Sequence, residues 1–169
     1  TIEVGLERFT AKAVPGDAAV HIRREDTPAA QERRLLEQKI PLALEFARRA
    51  GLNRWLTQSG DQPSGRSRLG IVAAGKAYRD VREAFAQLGL VSLEDIRAAG
   101  VEILKLGMTW PLDPGLIKQY AAAVERLWVV EEKRAFVEPQ IKEILYGVAA
   151  APPVLGKTDA AGRSLLPST

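Results

Sequence analysis

No cysteine occurs among the 169 residues, which excludes a disulfide framework, a thiolate nucleophile and any iron–sulfur or zinc–thiolate cluster held by this chain. Histidine occurs once, at His21, so the chain cannot build a multi-histidine metal site. No apolar run approaches the roughly 20 residues of a membrane-spanning helix, and no signal-peptide pattern is seen. Charge of one sign is also scarce: the formal net charge is +3. The basic pairs Arg23–Arg24, Arg33–Arg34 and Arg48–Arg49 are interleaved with acids and have no aromatic stacking platform beside them. They read as a solvated face rather than a nucleic-acid groove. The expectation is a cytoplasmic protein with neither a membrane nor a nucleic acid as partner.

What is present is an ordinary globular balance, 46% hydrophobic and 27% charged residues. The length fits one domain with an appended segment and is enough to bury a core. The chain begins at Thr1 without an initiator methionine, which suggests a piece of something longer.

The first stretch, to about Asp26, has short β-like runs broken at "PGD" and no helical period, so it reads as extended connectors or edge strands. Thr27 then Pro28 starts a helix, a hydroxyl cap followed by proline where its missing N–H costs nothing. Leu36, Ile40, Ala43, Leu44 and Ala47 form one apolar stripe expected to face the domain; Pro41 should bend or split the helix, and Gly51 ends it. "TQSGDQPSGRSR", Thr57 to Arg68, is a polar loop. It divides an entry segment, 1–67, from a main domain, 68–169.

The main domain alternates strand and helix. Leu69–Ala74 is a continuous apolar strand, and Gly75 turns it into a helix with the stripe Ala77, Val81, Ala84, Phe85 and Leu88. Ser92 with Asp95 is a capping box for a short helix ended by Gly100. Val101–Leu106 is the second strand, Asp113–Pro114 opens the next helix, Leu127–Val130 is the third strand, and Phe136–Tyr146 the last helix. The tail reads as a strand, a turn at "DAAG" and another short strand. This order predicts a three-layer α/β/α domain on a mainly parallel sheet.

In such sheets, ligands and partners meet the crevice beyond the carboxyl ends of the strands. Three loops occupy that edge: Gly75–Tyr78, Gly107–Pro111 and Glu131–Phe136. "AGK" could set a phosphate at a helix N-terminus through Lys76. Yet the chain has neither the further glycines of a dinucleotide fingerprint nor a complete Walker loop. Glu131 and Glu132 are adjacent on an extended segment and point to opposite faces, so they are not a catalytic carboxylate pair. Pairing with Lys133 or Arg134, or capping the following helix, suits them better. Met108, Thr109 and Trp110 are costly residues for a wet turn. Two readings stay open: a covering partner, or packing against the chain's own tail.

"RLGIVAAGKAYRDVREAF", "ILKLGMTWPLDPGLIKQYA" and "RLWVVEEKRAFVEPQIKEILYG" together resemble the indolepyruvate:ferredoxin oxidoreductase family, thiamine-diphosphate-dependent 2-oxoacid oxidoreductases. The flanking "HIRREDTPAAQERRLLEQKIPLALEFARRAGLNR" and "PPVLGKTDAAGRSLLPS" are similar to that family's flanking segments, so the likeness runs from about His21 to the end.

The resemblance implies a middle domain, similar to the transketolase C-terminal domain, of an enzyme that oxidatively decarboxylates an aryl or related 2-oxoacid to an acyl-coenzyme A and reduces ferredoxin. It implies thiamine diphosphate, Mg2+ and iron–sulfur clusters in the parent enzyme and other parent domains as partners. None of these cofactors is expected on this chain. "PGDAA" and "SGDQP" are its only Gly-Asp pairs and neither continues with glycine, so no catalytic, cofactor-binding or metal residue carries over. The expected role is structural, with Lys76, Tyr78, Met108, Thr109 and Trp110 as the interface to a neighbouring domain and no activity in isolation. The alternative is a free-standing α/β module that binds a small anion or nucleotide at the same strand edge.

Overall fold

In the computed structural model, which describes residues 23–58, 65–159 and 161–165, the three apolar runs form strands with the expected bounds. β2 (Leu69–Ala74), β3 (Val101–Leu106) and β4 (Leu127–Val130) lie side by side and parallel, with β2 in the centre. Two short strands complete the sheet in the order β1-β3-β2-β4-β5. β1 (Arg54–Trp55) runs antiparallel to β3, and β5 (Val154–Leu155) runs parallel to β4. The expected entry segment included Arg54 and Trp55; their pairing with Lys105 and Leu104 makes them part of the sheet instead. A two-residue strand has too little alternation to be seen in sequence.

The chain divides between Leu52 and Asn53 into a helical unit and an α/β unit. In the helical unit, α1 (Pro28–Arg34) starts as its sequence dictates, with the Thr27 hydroxyl accepting from the Ala30 N–H. A π-helical turn, Leu35–Lys39, joins it to α2 (Ile40–Arg49). Pro41 therefore neither breaks nor splits the run. The wider turn just upstream absorbs the irregularity, as single π turns commonly do. Gly51 closes α2 at φ 58°, a left-handed terminus that glycine adopts without steric cost. Of the apolar stripe, Ala47 is buried and Leu36 is exposed.

In the α/β unit, α5 (Pro114–Ala122) and α6 (Val137–Leu145) cover one face of the sheet. Ile117, Tyr120, Ala121, Val137, Ile141 and Leu145 pack there on Val72, Leu104, Leu106, Leu127 and Val129. α3 (Gly75–Gln87) covers the other face, with Val81 on Ile71 and Ala73. Ala84 and Leu88 were expected in the α3 stripe but are exposed, Leu88 at 74%. Leu88 follows the last helical turn, so the helical period no longer fixes where it points. α4 (Leu93–Ala98) carries the capping box in full, Ser92 and Asp95 each accepting from the other's backbone N–H.

One glycine in β2 has a packing reason. A Cβ on Gly70 would lie 3.0 Å from Val124 and 3.1 Å from Tyr120, so the bare backbone admits these two residues against the sheet. In the tail, Asp159 holds the turn by accepting from Ala161 and Arg163 N–H groups. The second tail strand reduces to one antiparallel bridge, Thr158 to Ser164. The expected extended stretch before residue 23 lies outside the described residues, and so does His21.

Candidate functional site

Each loop at the carboxyl edge of the sheet is fastened by a named hydrogen bond. Asn53, just before β1, accepts from the Gly107 and Met108 N–H groups through one Oδ1, at 3.0 Å each. That fixes the start of the Gly107–Pro111 loop directly after β3. Its other half is held from α6, where Gln140 Nε2 donates to the Thr109 carbonyl at 3.0 Å and to the Phe136 carbonyl at 2.9 Å. The Trp110–Pro111 peptide is cis, Leu112 is buried, and Asp113 caps α5 by accepting from Gly115 N–H. Met108 and Thr109 are half-buried in this frame, whereas Trp110 keeps 51% of its surface in water. Packing in this frame accounts for Met108 and Thr109 and leaves about half of the tryptophan open.

The other two candidate residues point elsewhere. Lys76 lies between two carboxylates, Asp80 at 2.6 Å and Glu132 at 3.3 Å. The Asp80 contact, then that of Glu132, raises the lysine above its ordinary value. Its ammonium is thus committed to a link between the first and third edge loops, which weakens the phosphate reading of "AGK". Tyr78 turns under the edge, with Lys105 Nζ 4.9 Å from its ring centre. The structure gathers Met108, Thr109 and Trp110 on one loop; Lys76 and Tyr78 belong to the neighbouring turn and have partners already.

Glu131 and Glu132 part company as their adjacency predicts. The Glu131 carboxylate accepts from the Phe136, Val137 and Glu138 N–H groups, filling the electropositive start of α6 with the chain's own anion. Glu132 pairs with Lys76, rather than with the expected Lys133 or Arg134.

A second polar cluster was not foreseen. Glu102, 3% exposed, receives Trp55 Nε1 at 2.6 Å, Ser67 Oγ at 3.0 Å and the Thr57 hydroxyl. Thr57 Oγ1 in turn accepts from Ile103 N–H at 3.0 Å. Tyr120, fully buried beside it, donates to the carbonyls of Glu102 and Ile71, and its ring meets Trp55 edge-on at 5.1 Å. Burial, and after it the Glu102 charge, pushes the phenol well above its ordinary value, so it stays a neutral donor. Glu102 sits at the amino end of β3, away from the loop edge, and its donors are spoken for. It joins β1 and the approach to β2 onto β3, a structural role. The only sequence signal was a lone acid inside an apolar strand.

Residues 60–169 match the indolepyruvate oxidoreductase domain. The chain belongs to the indolepyruvate oxidoreductase family. Among curated relatives, it is 36% identical over 91 residues to the indolepyruvate oxidoreductase subunit IorA of Thermococcus kodakarensis, covering 54% of this chain and 13% of that protein. It is 32% identical over 127 residues to IorA of Methanothermobacter marburgensis, covering 75% of this chain and 18% of the relative. The chain thus spans less than a fifth of the length of either relative. Similar solved structures include a 2-oxoglutarate:ferredoxin oxidoreductase from Magnetococcus marinus, at 17% identity and TM-score 0.46, over 77% of this chain and 20% of that one. A split-gene transketolase, an inactive tetramer, matches at 18% identity and TM-score 0.46, over 64% of this chain and 33% of its own.

Proposed function

We propose that this domain is an assembly module of an indolepyruvate-type 2-oxoacid:ferredoxin oxidoreductase and does no chemistry by itself. The parent enzyme would decarboxylate an aryl or related 2-oxoacid oxidatively to an acyl-coenzyme A and reduce ferredoxin, in the cytoplasm. Thiamine diphosphate, Mg2+ and iron–sulfur clusters would be held by its other domains. The residues here do not suit those groups: the chain has no cysteine, and no cluster of three or more His, Asp or Glu able to hold a metal ion occurs among the described residues. No step of the reaction is therefore placed on its side chains.

One observation carries the assembly reading. Trp110 directly follows a segment, Gly107–Thr109, that Asn53 and Gln140 fasten, and half its surface is uncovered. A large aromatic on a preorganised loop loses little entropy on docking, and such residues dominate interface energetics. The surface around Met108, Thr109 and Trp110 would dock on a thiamine-diphosphate-binding domain.

The test is Trp110→Ala in the complete enzyme. We expect about 2 kcal/mol or more of lost docking energy, read as weaker assembly or lower turnover, with unchanged circular dichroism of the domain. An intact, fully active enzyme carrying this substitution would refute the reading.

A further inference from the structure

The docking edge has a second aromatic anchor that the sequence did not single out. Phe136 is 52% exposed, matching Trp110 at 51%, and both stand at the carboxyl edge. The Gln140 side-chain nitrogen donates to the Phe136 carbonyl and to the Thr109 carbonyl, so one amide clamps the two backbones side by side. Phe136 is also fixed from the opposite direction, its N–H donating to Glu131 at 2.9 Å. Two exposed aromatics with immobile backbones and one shared tether form a prepared surface.

The charges beside them are sorted. The acids of this stretch are engaged: Glu131 on the start of α6 and Glu132 on Lys76. Lys133 and Arg134 are exposed, and neither forms an ion pair among the described residues. Lys133 adopts φ 55°, the left-handed region that non-glycine residues seldom occupy, within the turn that leads to Phe136.

We propose that Trp110 and Phe136 enter one apolar recess on a protein partner whose rim presents carboxylates to Lys133 and Arg134. This deepens the assembly reading and rests on it, since the partner is the neighbouring domain of the same oxidoreductase. It also moves the interface: the basic contribution comes from Lys133 and Arg134 and not from Lys76, whose ammonium is already shared by two acids. An aromatic core with a charged rim is the usual anatomy of such contacts, and rim charges set orientation and salt dependence more than affinity.

Hydroxyl-radical footprinting of the intact enzyme tests this, each residue's rate being compared with its own rate in the urea-unfolded enzyme. An uncovered Trp110 or Phe136 should react at about half its unfolded rate, as its exposure dictates; we expect both to react at least about ten-fold more slowly than unfolded. The double variant Lys133→Glu/Arg134→Glu should raise both rates severalfold, with the difference shrinking in high salt. Protection of Trp110 with Phe136 left open would overturn this inference and leave the assembly reading standing. Both residues open would end both. Both protected but indifferent to the charge reversal would eliminate the acidic rim, and with it the proposed partner.

Discussion

Tyr120 Oη lies 2.8 Å from the Glu102 carbonyl and 3.0 Å from the Ile71 carbonyl, so one phenol from α5 reaches two adjacent strands in the fully buried interior. The bare backbone of Gly70 makes the approach possible. Tyr120→Phe keeps the ring against Trp55 and removes only the donor. It should cost on the order of 1–2 kcal/mol, measured by urea unfolding at an unchanged denaturant slope. No loss of stability would mean the hydroxyl is incidental.

Glu102→Ala should be more damaging. It strands the Trp55 indole N–H and the Thr57 and Ser67 hydroxyls, three donors that share one carboxylate. A loss of about 3 kcal/mol is expected in the same measurement, with Glu102→Gln less harmful because it retains one acceptor oxygen. Equal stabilities for the two variants would show that the cluster does not hold the segment.

Gly156 has no room for a side chain. A Cβ there would run into Glu138 Oε2, the atom that also accepts from Lys157 N–H. Gly156→Ala should destabilise by about 2 kcal/mol through overpacking. In a Glu138→Ala background the same change should cost markedly less, because the clashing carboxylate is gone. Purely additive effects in the four-protein cycle would contradict the geometry.

Glu138 also predicts a pH dependence. Burial raises its carboxyl, but the Lys142 hydrogen bond, the Lys157 N–H and both cations outweigh that, leaving it below its ordinary value. A carboxylate whose folded value is lowered adds stability above its unfolded value, and that contribution is lost as pH falls through the folded value. The melting temperatures of the native sequence and Glu138→Gln should therefore differ most near neutral pH. They should converge as pH falls through the folded value of this carboxyl, below its ordinary range. A gap that widens on acidification would reverse the assigned sign.

The legible part of the molecule was the part governed by local rules. Strand runs at Leu69, Val101 and Leu127 are long and apolar enough to declare themselves, and the caps at Thr27 and Ser92 are set within four residues. Illegible were the features made by distant partners. Trp55 and Glu102 are 47 positions apart and meet only once β1 pairs with β3. Lys76 looked available in sequence because Glu132 reaches it from another loop. Gln140 was a polar residue on a helix until its amide met two loops at once. Phe136 stays half in water, and nothing in its neighbouring sequence signals that exposure.

The two outermost strands, β1 and β5, are each two residues long. Short edges leave few unpaired backbone groups for another chain to extend, a known protection against sheet-to-sheet aggregation. The same brevity limits how neighbours can attach. In the proposed assembly, strand addition along the sheet would have little to grip, and recognition would fall to side chains at the strand ends. Such contacts would join surfaces that are already folded.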